Sequence, residues 1–221
     1  MGRRFLIIGT EARVGKTTVG CALGFAFKAR GLRVGVMKPV DTGCSERDGE
    51  LYSADADSLA LAASCTIPAK TICPFRFKSS LPSAVAAEFE RLPVPDVTII
   101  SGNFREIAGQ SDMVLVESGG GPGDLVTWGT DFADLAAILD LEVIVVAGNR
   151  TGCLNAMTLV LSYLELKALK LAGLILCDLD PDKSPASETN VRAIQRLVGP
   201  LYLGRMRHRE PLSRAIVEKL I

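Results

Sequence analysis

Gly9-Thr10-Glu11-Ala12-Arg13-Val14-Gly15-Lys16-Thr17-Thr18 combines residue types and spacing that suit one kind of chemistry, the holding of phosphate. It follows the short apolar run Phe5-Leu6-Ile7-Ile8 and precedes a helical pattern, so it joins a strand to a helix. At such a junction, backbone N–H groups of the loop and of the first helical turn point at an anion. Lys16 adds a full positive charge near β- and γ-phosphates, and the Thr17 hydroxyl can ligate magnesium. The candidate triphosphate contacts here run from Glu11 through Ala12, Arg13, Val14, Gly15, Lys16 and Thr17 to Thr18. One detail departs from the strict G-x-x-x-x-G-K-[ST] spacing: Thr10 stands where glycine is asked for, and the glycine comes one residue early, at Gly9.

Other chemistry-bearing residues also follow apolar runs. Lys38, in Lys38-Pro39-Val40-Asp41-Thr42-Gly43, comes directly after Val34-Gly35-Val36-Met37. A lysine there can neutralise a transferring phosphoryl group or a substrate carboxylate, or it can be a solvated turn residue. Glu117 ends Met113-Val114-Leu115-Val116 and precedes Ser118-Gly119-Gly120-Gly121. An acid at that point can reach a metal held by Thr17. Asp57, at a helix start, is a third candidate metal ligand, with a helix N-cap as its alternative role. Thr17, Asp57 and Glu117 suit magnesium, which prefers oxygen ligands and keeps several waters. Gly152, Cys153, Leu154 and Asn155 open a helix whose free amides can receive a carboxylate, or simply connect two elements.

These loops need elements to position them. Six short apolar runs read as strands: 5–8, 34–37, 113–116, 143–146, 172–177 and 201–203. Helical patterns read over 17–30, 57–64, 83–91, 132–139, 154–169 and 187–198, with a last helix after Pro211. The strands are apolar throughout rather than alternating, as when both sheet faces are covered. Strand–helix alternation gives a parallel α/β sheet with helices on both faces, whose ligands gather at the carboxyl ends of the strands. The Pro-rich stretch from Leu92 to Asp96 reads as a connector, and the whole of 1–221 as a single domain.

Composition narrows the classes. The chain has 221 residues, 48% of them hydrophobic, enough for a continuous core without covalent staples. Acidic and basic residues balance at 25 each, with no basic excess to suggest nucleic acid or an anionic membrane. The six cysteines, Cys21, Cys44, Cys65, Cys73, Cys153 and Cys177, show no C-x-x-C spacing, and His208 is the sole histidine. Zinc binding and a secreted disulfide framework are therefore disfavoured, and the thiols read as buried small hydrophobes. Cys153 at a helix start is a conceivable nucleophile, but buried packing is the plainer role. No apolar segment approaches the ~20 residues that span a bilayer, and the first apolar run is too short for a signal peptide. The expected compartment is the cytoplasm.

Taken in order, these segments resemble dethiobiotin synthetase. The first loop is similar to that family's G-T-D-T-x-V-G-K-T, including the offset glycine. Lys38-Pro39-Val40-Asp41-Thr42-Gly43 is similar to K-P-V-x-[ST]-G, and Asp57-Ser58-Leu59-Ala60-Leu61 to D-A-L-x-L. Phe132-Ala133-Asp134-Leu135, Gly152-Cys153-Leu154-Asn155, Leu171-Ala172-Gly173 and Pro200-Leu201-Tyr202-Leu203-Gly204 continue the likeness over most of the chain. The resemblance implies a homodimeric, cytoplasmic, ATP- and magnesium-dependent ligase acting on 7,8-diaminopelargonic acid and CO2. It implies catalytic roles for Lys16 and Lys38, and metal roles for Thr17, Asp57 and Glu117. Glu117 and Cys177 join the first loop at the ATP. Thr42 lies near the diamine, and Gly152 to Asn155 receive the substrate carboxylate across the dimer interface.

Several positions depart from the family pattern. Ala12 replaces a threonine, Ser118-Gly119 replaces Gly-Ala or Gly-Val, and Ala84 stands where some members have histidine. Cys177 occupies the place of an asparagine that reads adenine, and a thiol is a poor substitute for an amide. The rival readings are another P-loop small-molecule kinase or amide-forming ligase, and a noncatalytic switch ATPase.

Overall fold

A computed structural model describes residues 2–180 and 184–221. Six strands form one parallel sheet: β1 (Arg3–Gly9), β2 (Val34–Met37), β3 (Met113–Glu117), β4 (Glu142–Gly148), β5 (Leu171–Cys177) and β6 (Tyr202–Met206). Their spatial order is β6-β5-β4-β1-β3-β2, so the first strand lies in the interior of the sheet. All six apolar runs read from the sequence are these strands. The last begins one residue later than expected, because Gly199–Leu201 forms a 3-10 turn.

The continuous apolar character of the strands has a direct cause. Successive strand side chains point to opposite faces, and both faces are covered. Leu6 and Ile8 pack into a core containing Ile100, Phe104, Leu135 and Met157. Phe5 and Ile7 pack into the opposite core with Leu23, Phe27, Leu59 and Ile216. The first core draws on α3 (Val97–Gly109), α4 (Phe132–Ile138) and α5 (Cys153–Leu166), and the second on α1 (Lys16–Lys28), α2 (Ala54–Ala63) and a short helix at Arg214–Glu218.

Two helix readings are corrected. The second helix begins at Ala54, not at residue 57, because Ser53 caps it: the Ser53 hydroxyl accepts from the Ala56 amide at 3.1 Å. Asp57 therefore sits inside the helix and is not its cap. Val97–Gly109 was not expected as a helix, yet Asp96 caps it and Ile100, Phe104 and Ile107 recur at helical spacing on its buried face. The connector at 92–96 leads straight into that cap. Three short ribbons, none of them anticipated, edge the carboxyl end of the sheet. Val40–Thr42 pairs parallel with Phe75–Phe77, Ser45–Arg47 pairs with Glu50–Tyr52, and Leu125–Thr127 pairs with Thr130–Asp131.

Candidate functional site

The sheet register assembles the site. Ile7 pairs with Glu117 across β1 and β3, and Met37 pairs with Val116 across β2 and β3. The next residue after Met37, Lys38, is thereby delivered beside Glu117. The Lys38 ammonium donates to Glu117 Oε1 at 2.6 Å, to Asp55 Oδ2 at 3.2 Å and to the Ser118 carbonyl at 3.2 Å. Those bonds use all three of its donors. Lys38 is 2% exposed and Glu117 1%. Burial pushes Lys38 toward neutrality, but Glu117, Asp55 and Asp41 outweigh it and hold the ammonium above its ordinary range.

The first loop meets this pair from the other side. Thr17 donates its hydroxyl to Glu117 Oε1 at 2.9 Å. Lys16 is buried at the start of α1, and its pKa is lowered by burial and by the charge of Lys38, with Glu117, Asp124 and Asp55 pulling back. A triphosphate would supply the counter-charge that Lys16 lacks. Gly15 is left-handed, at φ 94°, and a Cβ there would stand 2.5 Å from the Cys177 sulfur. The offset glycine is explained by a close approach: a Cβ on Gly9 would lie 2.4 Å from the Glu11 carbonyl oxygen and 2.7 Å from Val14 Cγ2. The loop folds back over position 9, so the residue without a side chain is needed there rather than at position 10.

A polar cleft of about 570 Å³ lies over these groups, lined by Arg13, Gly15, Lys16, Thr17, Lys38 and Glu117 among others. Ala12, Thr18, Thr42 and Asp55 also line it, and Asp57 does not. The carboxylate that helix α2 offers to the cleft is thus Asp55, two positions earlier than the one read from the sequence. The helix starts three residues earlier than the sequence pattern suggested, and its first turn, not its second, faces Lys38. Asp41 was also missed. It accepts the Ser53 hydroxyl at 2.6 Å and stands 4.0 Å from the Lys38 ammonium, tying the start of α2 to the lysine.

Three candidate ATP contacts have their side chains elsewhere. Val14 is fully buried in the core, leaving only its main chain to the loop. Glu11 pairs with Arg150 at 2.8 Å on the surface. Cys177 is 3% exposed, with its sulfur tucked under Gly15 rather than facing the cleft. Burial and the neighbouring Asp178 push that thiol up to about 11. The Gly152 to Asn155 segment opens α5 with Gly152 left-handed at φ 90° and without a side-chain cap. Gly152 and Asn155 are exposed, and the segment does not line the cleft of its own chain. Cys153 is buried and its thiol is raised by burial, the opposite of what activates a nucleophile.

The residues fit a magnesium ion. Glu117 Oε2 is buried and has no hydrogen-bond partner, an orphaned acceptor beside the Thr17 hydroxyl. Among the described residues no group of three His, Cys, Asp or Glu side chains gathers in metal-binding form. A cation here would take two carboxylates and a hydroxyl from the protein and its remaining oxygens from phosphate and water, which is a magnesium pattern. No helix among the described residues is long and apolar enough to cross a membrane.

Similar folds occur in solved structures. A chain of the MinC:MinD cell division protein complex of Aquifex aeolicus is 18% identical, with a TM-score of 0.57 over 99% of this chain and 86% of that one. A ParA family ATPase of Chlorobium tepidum TLS is 18% identical, with a TM-score of 0.56 over 100% of this chain and 89% of that one. The signal recognition particle receptor FtsY of Elizabethkingia anophelis is 17% identical, with a TM-score of 0.56 over 99% of this chain. This chain spans 64% of that FtsY chain's length. At such identities the likeness establishes a shared α/β architecture and nothing finer. The family is given by the sequence itself, since residues 3–215 match the AAA domain family AAA_26. With its phosphate loop, its buried lysine–glutamate pair and that match along nearly its whole length, the chain belongs to the family of dethiobiotin synthase-like P-loop ATPases.

Proposed function

We propose that this protein is a single-domain, ATP- and magnesium-dependent ligase that makes dethiobiotin from 7,8-diaminopelargonic acid and CO2. The observation that carries the reading is the convergence of Lys16, Lys38, Thr17 and Glu117 on one cleft that opens onto an apolar cavity. Ala12, Thr42, Ser80 and Gly119 line both spaces, so a small substrate in the cavity would sit next to a terminal phosphate.

In this reading one amine of the substrate attacks CO2 and loses a proton, forming a carbamate. A carbamate oxygen takes the γ-phosphoryl group of ATP, releasing ADP. The second amine then attacks the carbonyl carbon of the mixed anhydride and phosphate leaves, closing the cyclic urea. No step needs a covalent nucleophile from the protein. What is needed is alignment and charge neutralisation, in which fixed cations in a sheltered site are most effective. Lys16 meets the β- and γ-phosphates, and Lys38, held protonated by its carboxylates, faces the carbamate and the transferring group. Thr17, Glu117 and Asp55 would hold magnesium, which supplies further charge neutralisation at the phosphates. Thr42 stands between cleft and cavity, beside the diamine. The exposed Gly152 to Asn155 segment would receive the substrate carboxylate of a second copy, making the working form a homodimer.

The test is product analysis. Incubation with the diamine, bicarbonate, magnesium and ATP should give the cyclic urea and phosphate in equal amounts, read by mass spectrometry and phosphate assay. ATP hydrolysis that never yields the cyclic urea would remove the ligase reading and leave a kinase or a switch ATPase.

A further inference from the structure

Beside the phosphate cleft lies a cavity of about 210 Å³ with walls that include Val40, Leu81, Pro82, Leu125 and Phe132. It is smaller than the ~300 Å³ at which pockets for drug-sized ligands begin, so its occupant is small. Thr42, Ser80 and Ser83 are its neutral polar groups, and Ser83 already donates to the Leu125 and Val126 carbonyls. Among the described residues one charged side chain lines it: Asp124.

Asp124 is unusual in three respects. Among the described residues no lysine, arginine or histidine lies within 4.0 Å of it, whereas Asp41, Asp55 and Glu117 all cluster on Lys38. Its Oδ2 accepts from the Gly121 amide at 3.0 Å, and among the described residues nothing donates to Oδ1. The carboxylate also folds over the Gly119–Gly121 turn, where a Cβ on Gly120 would stand 2.0 Å from Oδ2. The glycine turn thereby leaves the acid a place at the cavity wall. Asp124 is exposed at the mouth of the cavity, and a small aliphatic ammonium entering there would meet the carboxylate while its chain covers the apolar walls. A substrate carboxylate would be repelled from the same end.

We propose that Asp124 is a specificity-determining residue that receives an ammonium group of an aliphatic amine substrate lying in this cavity. The assignment deepens the ligase reading and rests on it for the reaction, while the binding itself is independent of turnover. It also fixes orientation: the amine-bearing end enters the cavity, and any carboxylate points away from Asp124, out of this chain's pocket.

The experiment is calorimetric titration of the full chain, with magnesium and ADP present, using hexylamine and hexanoate as probes that differ only in the charged end. Hexylamine should bind and hexanoate should not. Asp124→Asn keeps the acceptor for the Gly121 amide but removes the charge, and should weaken hexylamine at least about tenfold, the size expected for a charged hydrogen bond. Asp124→Glu should restore part of it, and the urea unfolding midpoint serves as the control for folding, since the charge of Asp124 also acts on Lys16. Equal binding of the two probes, or unchanged hexylamine affinity in Asp124→Asn, overturns the proposal. If hexylamine depends on Asp124 but no dethiobiotin forms, the amine site stands and the ligase reading falls. If dethiobiotin forms with the same amine KM in Asp124→Asn, the ligase reading stands and this assignment falls.

Discussion

The Lys38 ammonium lies 2.6 Å from Glu117 Oε1, and both side chains are almost entirely sealed from solvent. Two charges hidden together are costly to separate, because whichever remains is left without water or partner. Lys38→Ala should therefore act twice. Turnover should fall by about a thousandfold, as when one charge-stabilising group is removed from an active site. Stability should also fall, by about 3 kcal/mol, with Glu117 left buried and alone. The double variant Lys38→Met, Glu117→Leu should regain much of the stability and none of the activity. Urea unfolding and steady-state assay of both proteins check this, and a stable, inactive Lys38→Ala would show that the pair contributes little to folding.

Asp55 and Asp57 should behave differently. Asp55 faces the cleft and contacts Lys38, whereas Asp57 does not line it. Asp55→Asn should raise the magnesium concentration needed for half-maximal activity by about tenfold, since the proposed site would keep an amide oxygen but lose a carboxylate charge. Asp57→Asn should leave the magnesium titration where it was. The reverse result would restore the residue expected from the sequence pattern.

Cys177 gives a third prediction. A base-reading role would make Cys177→Asn sharpen the preference for ATP. The sulfur instead lies under Gly15, 2.5 Å from where a Cβ on that glycine would stand, so a bulkier asparagine in place of Cys177 would press on the loop. Overpacking of this kind costs ~1–3 kcal/mol. Cys177→Asn should weaken binding of ATP, CTP and GTP together, by distorting the loop that holds their common phosphates. Titrations with the three nucleotides separate the two outcomes, and a selective gain for ATP would return Cys177 to the base site.

A fourth concerns acid stability. The Arg33 side chain and amide both donate to Asp112, which holds that carboxyl down at about 2, against an ordinary 3.8. A folded pKa below the unfolded one contributes stability above the unfolded value. That contribution is lost as the pH falls through the folded pKa. Asp112→Asn should therefore flatten the fall in stability between pH 3.8 and 2. Urea midpoints of both proteins across that window give the answer; identical slopes would mean that other carboxylates govern acid unfolding.

The sequence by itself determined the sheet and the identity of its main charges. Apolar runs bounded by glycine, lysine or acid give strands buried on both faces, and Gly15-Lys16-Thr17 between a strand and a helix gives a phosphate loop from local chemistry alone. Lys38 and Glu117 were legible because each directly follows or ends such a run. Only the tertiary structure decided which acid of α2 faces the cleft, because a helix boundary shifted by three residues turns a different side chain inward. Only it showed that Cys177 lies beneath the loop, that Asp41 ties the start of α2 to Lys38, and that Asp124 stands unpaired at an apolar cavity. These are contacts between separate elements, some near in the chain, as Asp41 and Ser53 are, and some far apart, as Cys177 and Gly15 are. Their geometry is set by strand register and by how helices pack on the sheet, and neither is written in the spacing of nearby residues.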